Sequence, residues 1–225
     1  MPTEKIRPVL IIEQITARLK EDIVLGLIPP GSPLRETELQ NRFGVSRSPI
    51  REALRELERQ GFVIIQMRKG AFVRELTLRD IKNIYDVRAV LEGLAARELH
   101  RLDPDAGQKL SARLQEMDEA FGSGNREAYL KAHDNFHHTW INGCGNAFLT
   151  EETQRLRELS TWFAVYSHFD HLAFKNAIAA HRQIVDAFCS EKNSEQDIEL
   201  CVRNNILEGG ERIRQKVCEL RGVSE

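Results

Sequence analysis

Histidine side chains recur at helical spacing in the rear half of the chain. His133 and His137 are four residues apart, as are Asp134 and His138, and His181 lies on a later helical segment. Two histidines at this spacing share one face of a helix and can bind the same metal ion. Because most helical histidines are simply packed or exposed, the residues alone leave a metal site and ordinary packing both open.

Arginine side chains recur at the same spacing near the front of the chain. Arg47 and Arg51 follow a tight turn at residues 43–46, and they lie at the start of a helical pattern. In a helix-turn-helix the second helix enters the major groove, where one arginine can bind guanine O6 and N7 together. Ser46, a suitable N-cap, and Ser48 can reach phosphates. The turn favours a DNA-reading helix over the alternative, an ordinary solvated face.

The elements around these arginines are short and end at turn residues. Three helical patterns and two β-type runs follow one another at 9–27, 36–43, 47–60, 62–65 and 71–73. Ile50, Leu54 and Leu57 share an apolar face of the third helix, which we expect to be buried. Lys69 and Gly70 lie in the turn between the strands, where they can approach the minor groove or the backbone. Residues 1–75 therefore predict a winged helix-turn-helix with a small β-hairpin.

The rest of the chain has helical periodicity only. Six helices are predicted, at about 78–101, 104–121, 126–142, 146–168, 171–190 and 195–219. Helices joined by short loops are typical of a bundle. We therefore predict a mostly α protein, in which residues 76–225 form an all-α bundle of about six helices.

Composition narrows the class of protein. The 225 residues are 41% hydrophobic and 29% charged, with a net charge of −2, as in a soluble globular protein. The front has a small excess of basic residues and the rear a small excess of acidic ones. The residues MPTEKIRPVL lack the uninterrupted apolar core that is typical of a signal peptide, no run is long enough to span a membrane, and the four cysteines include no C-x-x-C pair. We expect a cytoplasmic protein with reduced thiols and no contact with a membrane.

The front segment resembles a known family. The matching residues are Ile-Pro-Pro-Gly-Ser-Pro-Leu at 28–34, Glu-Leu at 38–39, Gly-Val-Ser-Arg-Ser-Pro-Ile-Arg-Glu-Ala-Leu at 44–54, Leu57 and Gly-Phe-Val at 61–63. Residues 10–75 thereby resemble the winged-helix domain of the GntR family. The resemblance implies a homodimer on a near-palindromic operator in double-stranded DNA. It also implies which residues face the DNA: Thr37, Arg47, Ser48, Pro49 and Arg51 in the helices, and Lys69 and Gly70 in the wing.

The rear segment resembles the ligand-binding domain of FadR-type members of that family. The resemblance covers residues 78–218 and is carried by Tyr85-x-x-Arg88-x-x-x-Glu92, Phe136-His137, Gly145-Asn146, His181 and Asn205-Ile206. In many members of the family an aspartate and three histidines hold a divalent metal such as zinc or nickel. The metal and a nearby arginine then hold a small organic acid.

Two departures from the family pattern concern the metal ligands. His137 and His181 match two of the family's histidines, but His133 stands where the aspartate is usual, with Asp134 one residue away. Asn205 stands where the last histidine is usual, and asparagine is a poor ligand for zinc or nickel. Three histidines, a set with Asp134 in place of His133, and a pocket without metal all stay open.

Effector-binding residues follow from the same resemblance. Arg88 is the candidate for an effector carboxylate, because a guanidinium and a carboxylate form a bidentate pair; an ion pair with Glu92 is the alternative. Tyr85, Tyr166 and Asn205 are the other expected effector-binding residues, whereas core packing is expected for Trp162.

These patterns favour a sequence-specific transcription regulator, a repressor controlled by a small carboxylate effector. A metal-dependent enzyme is the second hypothesis, but the chain has no H-E-x-x-H motif and we expect no catalytic residues. A non-specific DNA-binding protein is the third, and its affinity would need the positive charge that this chain does not have.

Overall fold

The protein is mostly helical in the computed structural model, which describes residues 8–75, 77–166 and 171–222. In chain order the elements are α1 (Pro8–Val24), β1 (Pro33–Leu34), α2 (Glu36–Phe43), α3 (Arg47–Gln60), β2 (Val63–Gln66), β3 (Gly70–Val73), α4 (Leu78–Leu102), α5 (Ala106–Gly122), α6 (Arg126–Gly143), α7 (Ala147–Tyr166), α8 (His171–Cys189) and α9 (Glu195–Arg221). This order confirms the predicted fold class, a winged helix-turn-helix followed by helices alone. None of the described helices is both long and apolar enough to cross a membrane.

The chain forms two compact units. The first contains the residues up to Thr77 together with Thr161–Tyr166, at the end of α7. The second contains Leu78–Ser160 and the chain from Ser167 onward. Within the first unit, Trp162 is fully buried and its ring lies 5.6 Å from that of Phe62. The sequence patterns place Trp162 in a core, but they do not indicate that the end of α7 belongs with the front of the chain.

The helix-turn-helix of the first unit is closed by a left-handed residue. Gly44, with φ of 66°, ends α2, and its N–H donates to the carbonyl of Gln40. A residue without Cβ adopts this conformation at little cost, so the turn can be tight. Ser46 then occupies the N-cap of α3, as predicted, although its side chain accepts no capping hydrogen bond.

The buried face of α3 confirms the predicted periodicity. Ile50, Leu54 and Leu57 are at most 2% exposed. The prediction for α1 was wrong at its end, because the helix stops at Val24 and the chain already turns at Gly26, whose φ is 76°.

The wing is a three-stranded antiparallel sheet in the order β1-β3-β2. The hairpin of β2 and β3 was expected, with Gln66 opposite Gly70 next to the turn that joins the strands. Strand β1 was not expected, because two residues are too short to show an alternating pattern. Pro33 lies opposite Phe72, at the edge of the sheet, where a proline without an N–H is tolerated.

The second unit is built on helix packing alone. Helix α4 packs along α9, and α5 packs against α6 and α8. Trp140, Phe136, Leu110 and Ile198 are fully buried and belong to its core. Helix α9 begins with a capping box, in which Ser194 and Asp197 satisfy each other's backbone N–H groups.

Helices α4 and α9 approach each other closely at Gly210. A Cβ atom at this position would lie 2.5 Å from Cγ of Tyr85 and 2.7 Å from its Cβ. Glycine inside a helix destabilises it by about 1 kcal/mol relative to alanine, yet here only glycine leaves room for the ring. The adjacent Gly209 has no such neighbour, since the nearest atoms to its added Cβ would be 3.8 and 4.0 Å away.

We expect Gly210→Ala to lower the free energy of unfolding by about 1–3 kcal/mol, because the methyl group overpacks the contact with Tyr85. Gly209→Ala is the matched control, and it should raise stability by up to about 1 kcal/mol through helix propensity. Thermal melting of the two variants, followed by circular dichroism, measures both effects. Equal shifts for the two variants would contradict the packing argument.

Candidate nucleic-acid interface and metal centre

Helix α3 presents two arginines at its exposed N-terminal end. The side chains of Arg47 and Arg51 are 64% and 54% exposed, and the Nε group of each donates to the carboxylate of Glu36. The Arg51 bond is 2.8 Å long. A shared partner on α2 means that the two arginines lie on one face of α3, as their spacing predicts.

The other arginines of α3 are neutralised differently. Arg55 pairs with Glu52 and Arg59 with Glu56, both within the helix itself. The counter-charge of Arg47 and Arg51 comes instead from another helix. The pKa of Glu36 is lowered, chiefly by the hydrogen bond from Arg51, against the opposing effect of burial.

The remaining residues expected to face DNA all belong to the first unit. Thr37, Ser46 and Ser48 are exposed, whereas Pro49 is half-buried. At the tip of the hairpin, Lys69 and Gly70 are exposed.

Arg68 is an exposed basic residue at the hairpin tip that the sequence analysis did not select. Its φ of 62° is the only positive value among the described residues other than glycine. The basic turn at 67–70 was the signal for it. A tip with two adjacent cations can approach the phosphate backbone.

Three histidines meet inside the second unit. His133 and His137 come from α6 and His181 from α8, and one ring nitrogen of each lies within 4.8 Å of the others. His137 and His181 are 3% exposed, and His133 is half-buried. The structure therefore brings together the three histidines that the spacing and the resemblance selected.

Hydrogen bonds made by Nδ1 show which ring nitrogen carries the proton in His181 and His137. Nδ1 of His181 lies 2.5 Å from the carbonyl oxygen of Ala177, which can only accept, so Nδ1 carries the proton. Nδ1 of His137 lies 2.9 Å from the carboxylate of Glu92 and donates to it for the same reason. In neutral rings both Nε2 atoms then carry lone pairs, and these two atoms are 2.9 Å apart. Two facing lone pairs repel unless a cation lies between them.

The three rings are held in the neutral form. Burial is the main cause that lowers the pKa of His133 and His137 well below the usual histidine value, and nearby positive charges, including Arg157, add to it. Burial also lowers the pKa of His181 to about 4. Neutral imidazole nitrogens are donors that zinc and nickel prefer, and the rings of His137 and His181 are also oriented by a hydrogen bond to the other ring nitrogen. The donor set therefore fits a divalent metal.

Glu92 connects this cluster to Arg88. Both residues are almost completely buried, and Nε and Nη2 of Arg88 donate to Oε1 of Glu92 over 2.9 and 2.6 Å. Nη1 of Arg88 donates to Ser160. Burial is the largest single effect and would lower the pKa of Arg88, but the charges of Glu92 and Tyr85 and their hydrogen bonds together outweigh it, so the pKa is raised. The intrahelical ion pair considered for Arg88 is thus formed, and it occupies much of the guanidinium.

Arg157 is a second buried arginine, which the sequence analysis missed. It is 4% exposed, its Nη2 donates to Asp134 over 2.7 Å, and its Nη1 lies 3.7 Å from Oε2 of Glu92. Its Nε is buried and has no hydrogen-bond partner among the described residues. The side chain of Asp134 is 43% exposed and also pairs with His138, and Asp134 is not one of the three residues of the histidine cluster.

The other expected effector-binding residues are dispersed. Tyr85 lies beneath the guanidinium of Arg88, 4.7 Å from its Cζ, and it lines a cleft of about 340 Å³ between α4 and α9 that includes none of the three histidines. Asn205 is 9% exposed on α9 and makes no hydrogen bond within the described part of the chain. The side chain of Tyr166 lies outside the described residues.

Each of the two parts of the chain matches a known protein-family model. Residues 11–73 match the family model of bacterial regulatory proteins of the gntR family, and residues 83–203 match the FCD domain. These matches confirm the two resemblances noted in the sequence, to the GntR winged helix and to the FadR-type ligand-binding domain.

Individual relatives extend along most of the chain. The chain is 31% identical over 185 residues to the uncharacterized HTH-type transcriptional regulator YdhC of Bacillus subtilis (strain 168), covering 81% of this chain and 82% of the relative. It is 29% identical to the HTH-type transcriptional repressor RspR of Escherichia coli (strain K12), over 90% and 89% of the two chains. The solved structure of E. coli McbR/YncC has the same fold, with a TM-score of 0.74, 19% identity and coverage of 92% and 98%. The chain therefore belongs to the GntR family of bacterial regulatory proteins, and it is a transcriptional regulator rather than an enzyme.

Proposed function

We propose that this regulator is a cytoplasmic repressor that binds a near-palindromic operator as a homodimer. Helix α3 reads the DNA, with Arg47 and Arg51 contacting bases and Ser46 and Ser48 contacting phosphates. The exposure of the two arginines at the N-terminal end of α3 supports this assignment. Repression is supported by the relative RspR, whose name describes a repressor.

We further propose that residues 76–225 hold the dimer together and bind a small organic acid that changes operator affinity. A ligand has this effect when it binds the DNA-competent and the released states with different affinity. The observation that carries the proposal is the buried three-histidine cluster, in which two lone pairs face each other over 2.9 Å. His133, His137 and His181 would hold a zinc or nickel ion, which supplies a positive charge for the acid to bind.

The charge of the protein around this cluster also favours an acid over a neutral sugar. Arg88 and Arg157 are both buried, and in the described part of the chain Glu92 is the one equally buried carboxylate that lies between them. Asp134 compensates only in part, because its carboxylate is substantially exposed. The Nε of Arg157, which bonds to none of the described residues, is a donor for a ligand carboxylate.

The DNA-binding assignment predicts different effects for two basic residues. Arg51→Ala should reduce the ratio of operator to scrambled-DNA affinity about tenfold or more, because a bidentate contact with guanine discriminates by about 1–3 kcal/mol. Lys69→Ala should weaken binding to both DNAs alike and lower the salt slope by about one. Fluorescence anisotropy on an operator selected from genomic fragments measures both. Full discrimination by Arg51→Ala would show that α3 is not the reading helix.

The metal assignment predicts a titratable site in the full chain. After treatment with a chelator, calorimetric titration with Zn²⁺ or Ni²⁺ should detect one site per chain. His137→Ala should weaken it by more than about a hundredfold, since even loss of an outer partner of a metal ligand weakens binding 10–100-fold. His100→Ala, on α4 and outside the cluster, is the control and should bind as the parent does. Equal affinity in all three proteins would exclude the three histidines as the site.

The acid assignment predicts which ligands stabilise the protein. Small mono- and dicarboxylates should raise the melting temperature of the metal-loaded chain at constant ionic strength, whereas a neutral pentose should not. Arg157→Gln should reduce this shift, because it removes the buried cation. Arg155→Gln is the matched control on the same helix, since Arg155 is exposed and pairs with Glu152. A shift with the pentose and none with the acids would overturn the assignment.

A further inference from the structure

A single carboxylate joins the two arginines at the N-terminal end of α3, Arg47 and Arg51. We propose that Glu36 is a positioning residue for DNA recognition, which holds Arg47 and Arg51 in the orientation that contacts bases and restrains them from binding phosphates at random. The inference rests on the proposed role of α3 as the reading helix. It assigns a function to a residue that makes no base contact of its own in that proposal.

The geometry divides the carboxylate between the two arginines. Oε1 of Glu36 accepts from Nε of Arg51 over 2.8 Å, and Oε2 accepts from Nε of Arg47. Glu36 is the first residue of α2, and its side chain is 25% exposed, less than half the value of either arginine. The Glu36 carboxylate is therefore less exposed than the two guanidinium groups, which extend beyond it toward solvent.

The choice of nitrogen decides what each arginine can still bind. Both bonds use Nε, and no other described residue bonds to Nη1 or Nη2, so the outer edge of each guanidinium stays available. That edge is a planar fork that can bind O6 and N7 of one guanine. A long side chain that is already held in one geometry loses less conformational entropy on binding, which favours the specific complex.

The negative charge of Glu36 also weakens binding to DNA of unrelated sequence. Binding to DNA of any sequence depends on cations that neutralise phosphates and release counterions. A carboxylate between two guanidinium groups reduces the net positive charge of this end of α3, and the lowered pKa of Glu36 keeps it ionised. Glu36 thus weakens the sequence-independent part of binding and strengthens the sequence-dependent part.

Anchoring of α2 on α3 does not need this ion pair. Leu39 of α2 is 6% exposed and Ile50 of α3 is fully buried, so the two helices also have an apolar contact surface. Exposed ion pairs contribute little to stability in general. A role in orientation therefore explains the geometry better than a role in folding.

The test compares Glu36→Gln with Glu38→Gln in the full-length protein. Glu38 is on the same helix, is 63% exposed and, among the described residues, pairs only with Arg35, so its substitution makes the same change of charge without touching Arg47 or Arg51. Affinities for the selected operator and for a scrambled duplex are measured by anisotropy over a range of salt concentrations. Glu36→Gln should bind scrambled DNA more tightly, while its ratio of operator to scrambled affinity falls about tenfold, the discrimination of one good base contact. Glu38→Gln should leave the ratio unchanged.

The variant Glu36→Asp separates the effect of side-chain length from the effect of charge. It keeps the carboxylate but shortens the side chain by one methylene, so the ratio should fall with no gain in affinity for scrambled DNA. The ¹H–¹⁵Nε signals of Arg47 and Arg51 in the free protein should shift in both Glu36 variants and not in Glu38→Gln, a readout that a purely structural role would not produce. Unchanged ratios in both Glu36 variants would overturn the inference. If Arg51→Ala also leaves the ratio unchanged, the failure lies instead in the proposed reading helix.

Discussion

The second unit depends on the neutralisation of one fully buried carboxylate, that of Glu92. Its Oε1 accepts two bonds from Arg88, and its Oε2 accepts from His137 and from Trp140. Some of these bonds link α4 to α6, so the two helices cannot shift against each other without breaking them. Breaking them would leave a buried charge unpaired, which costs several kcal/mol of stability. The same bonds orient the ring of His137, so that its Nε2 faces His181. The arrangement of the histidine cluster is thus a consequence of how the fold compensates Glu92.

Carboxylates orient cationic or donor side chains in both units, but the surroundings change the effect. Glu92 is sealed from water, where its attraction is strong and its loss would leave Arg88 as an uncompensated charge. Glu36 is partly exposed, and its attraction to Arg47 and Arg51 is screened by water and salt. The first arrangement therefore bears on stability, whereas the second acts on the orientation of flexible side chains.

Sequence periodicity predicted the helices and the residue pairs four positions apart, because both depend only on local geometry. His133 with His137, and Arg47 with Arg51, are pairs of this kind. Contacts between distant segments carry no local signal. Nothing in α7 distinguishes Arg157 from Arg155, yet the first is buried beside Glu92 and the second is exposed. Two other features could not be predicted for the same reason: strand β1, and the membership of residues 161–166 in the first unit. A two-residue strand and a helix end acquire their partners only in the folded chain.

The contact of Tyr85 with Gly210 has a consequence for the evolution of the two helices. The ring and the missing side chain fill one volume between α4 and α9, so neither position can vary by itself. Among relatives that keep this helix pair, an aromatic residue at the first position should accompany glycine at the second. Where a larger residue replaces the glycine, a smaller one should replace the aromatic ring. The two positions, 125 residues apart in the chain, would then appear in an alignment as a covarying pair.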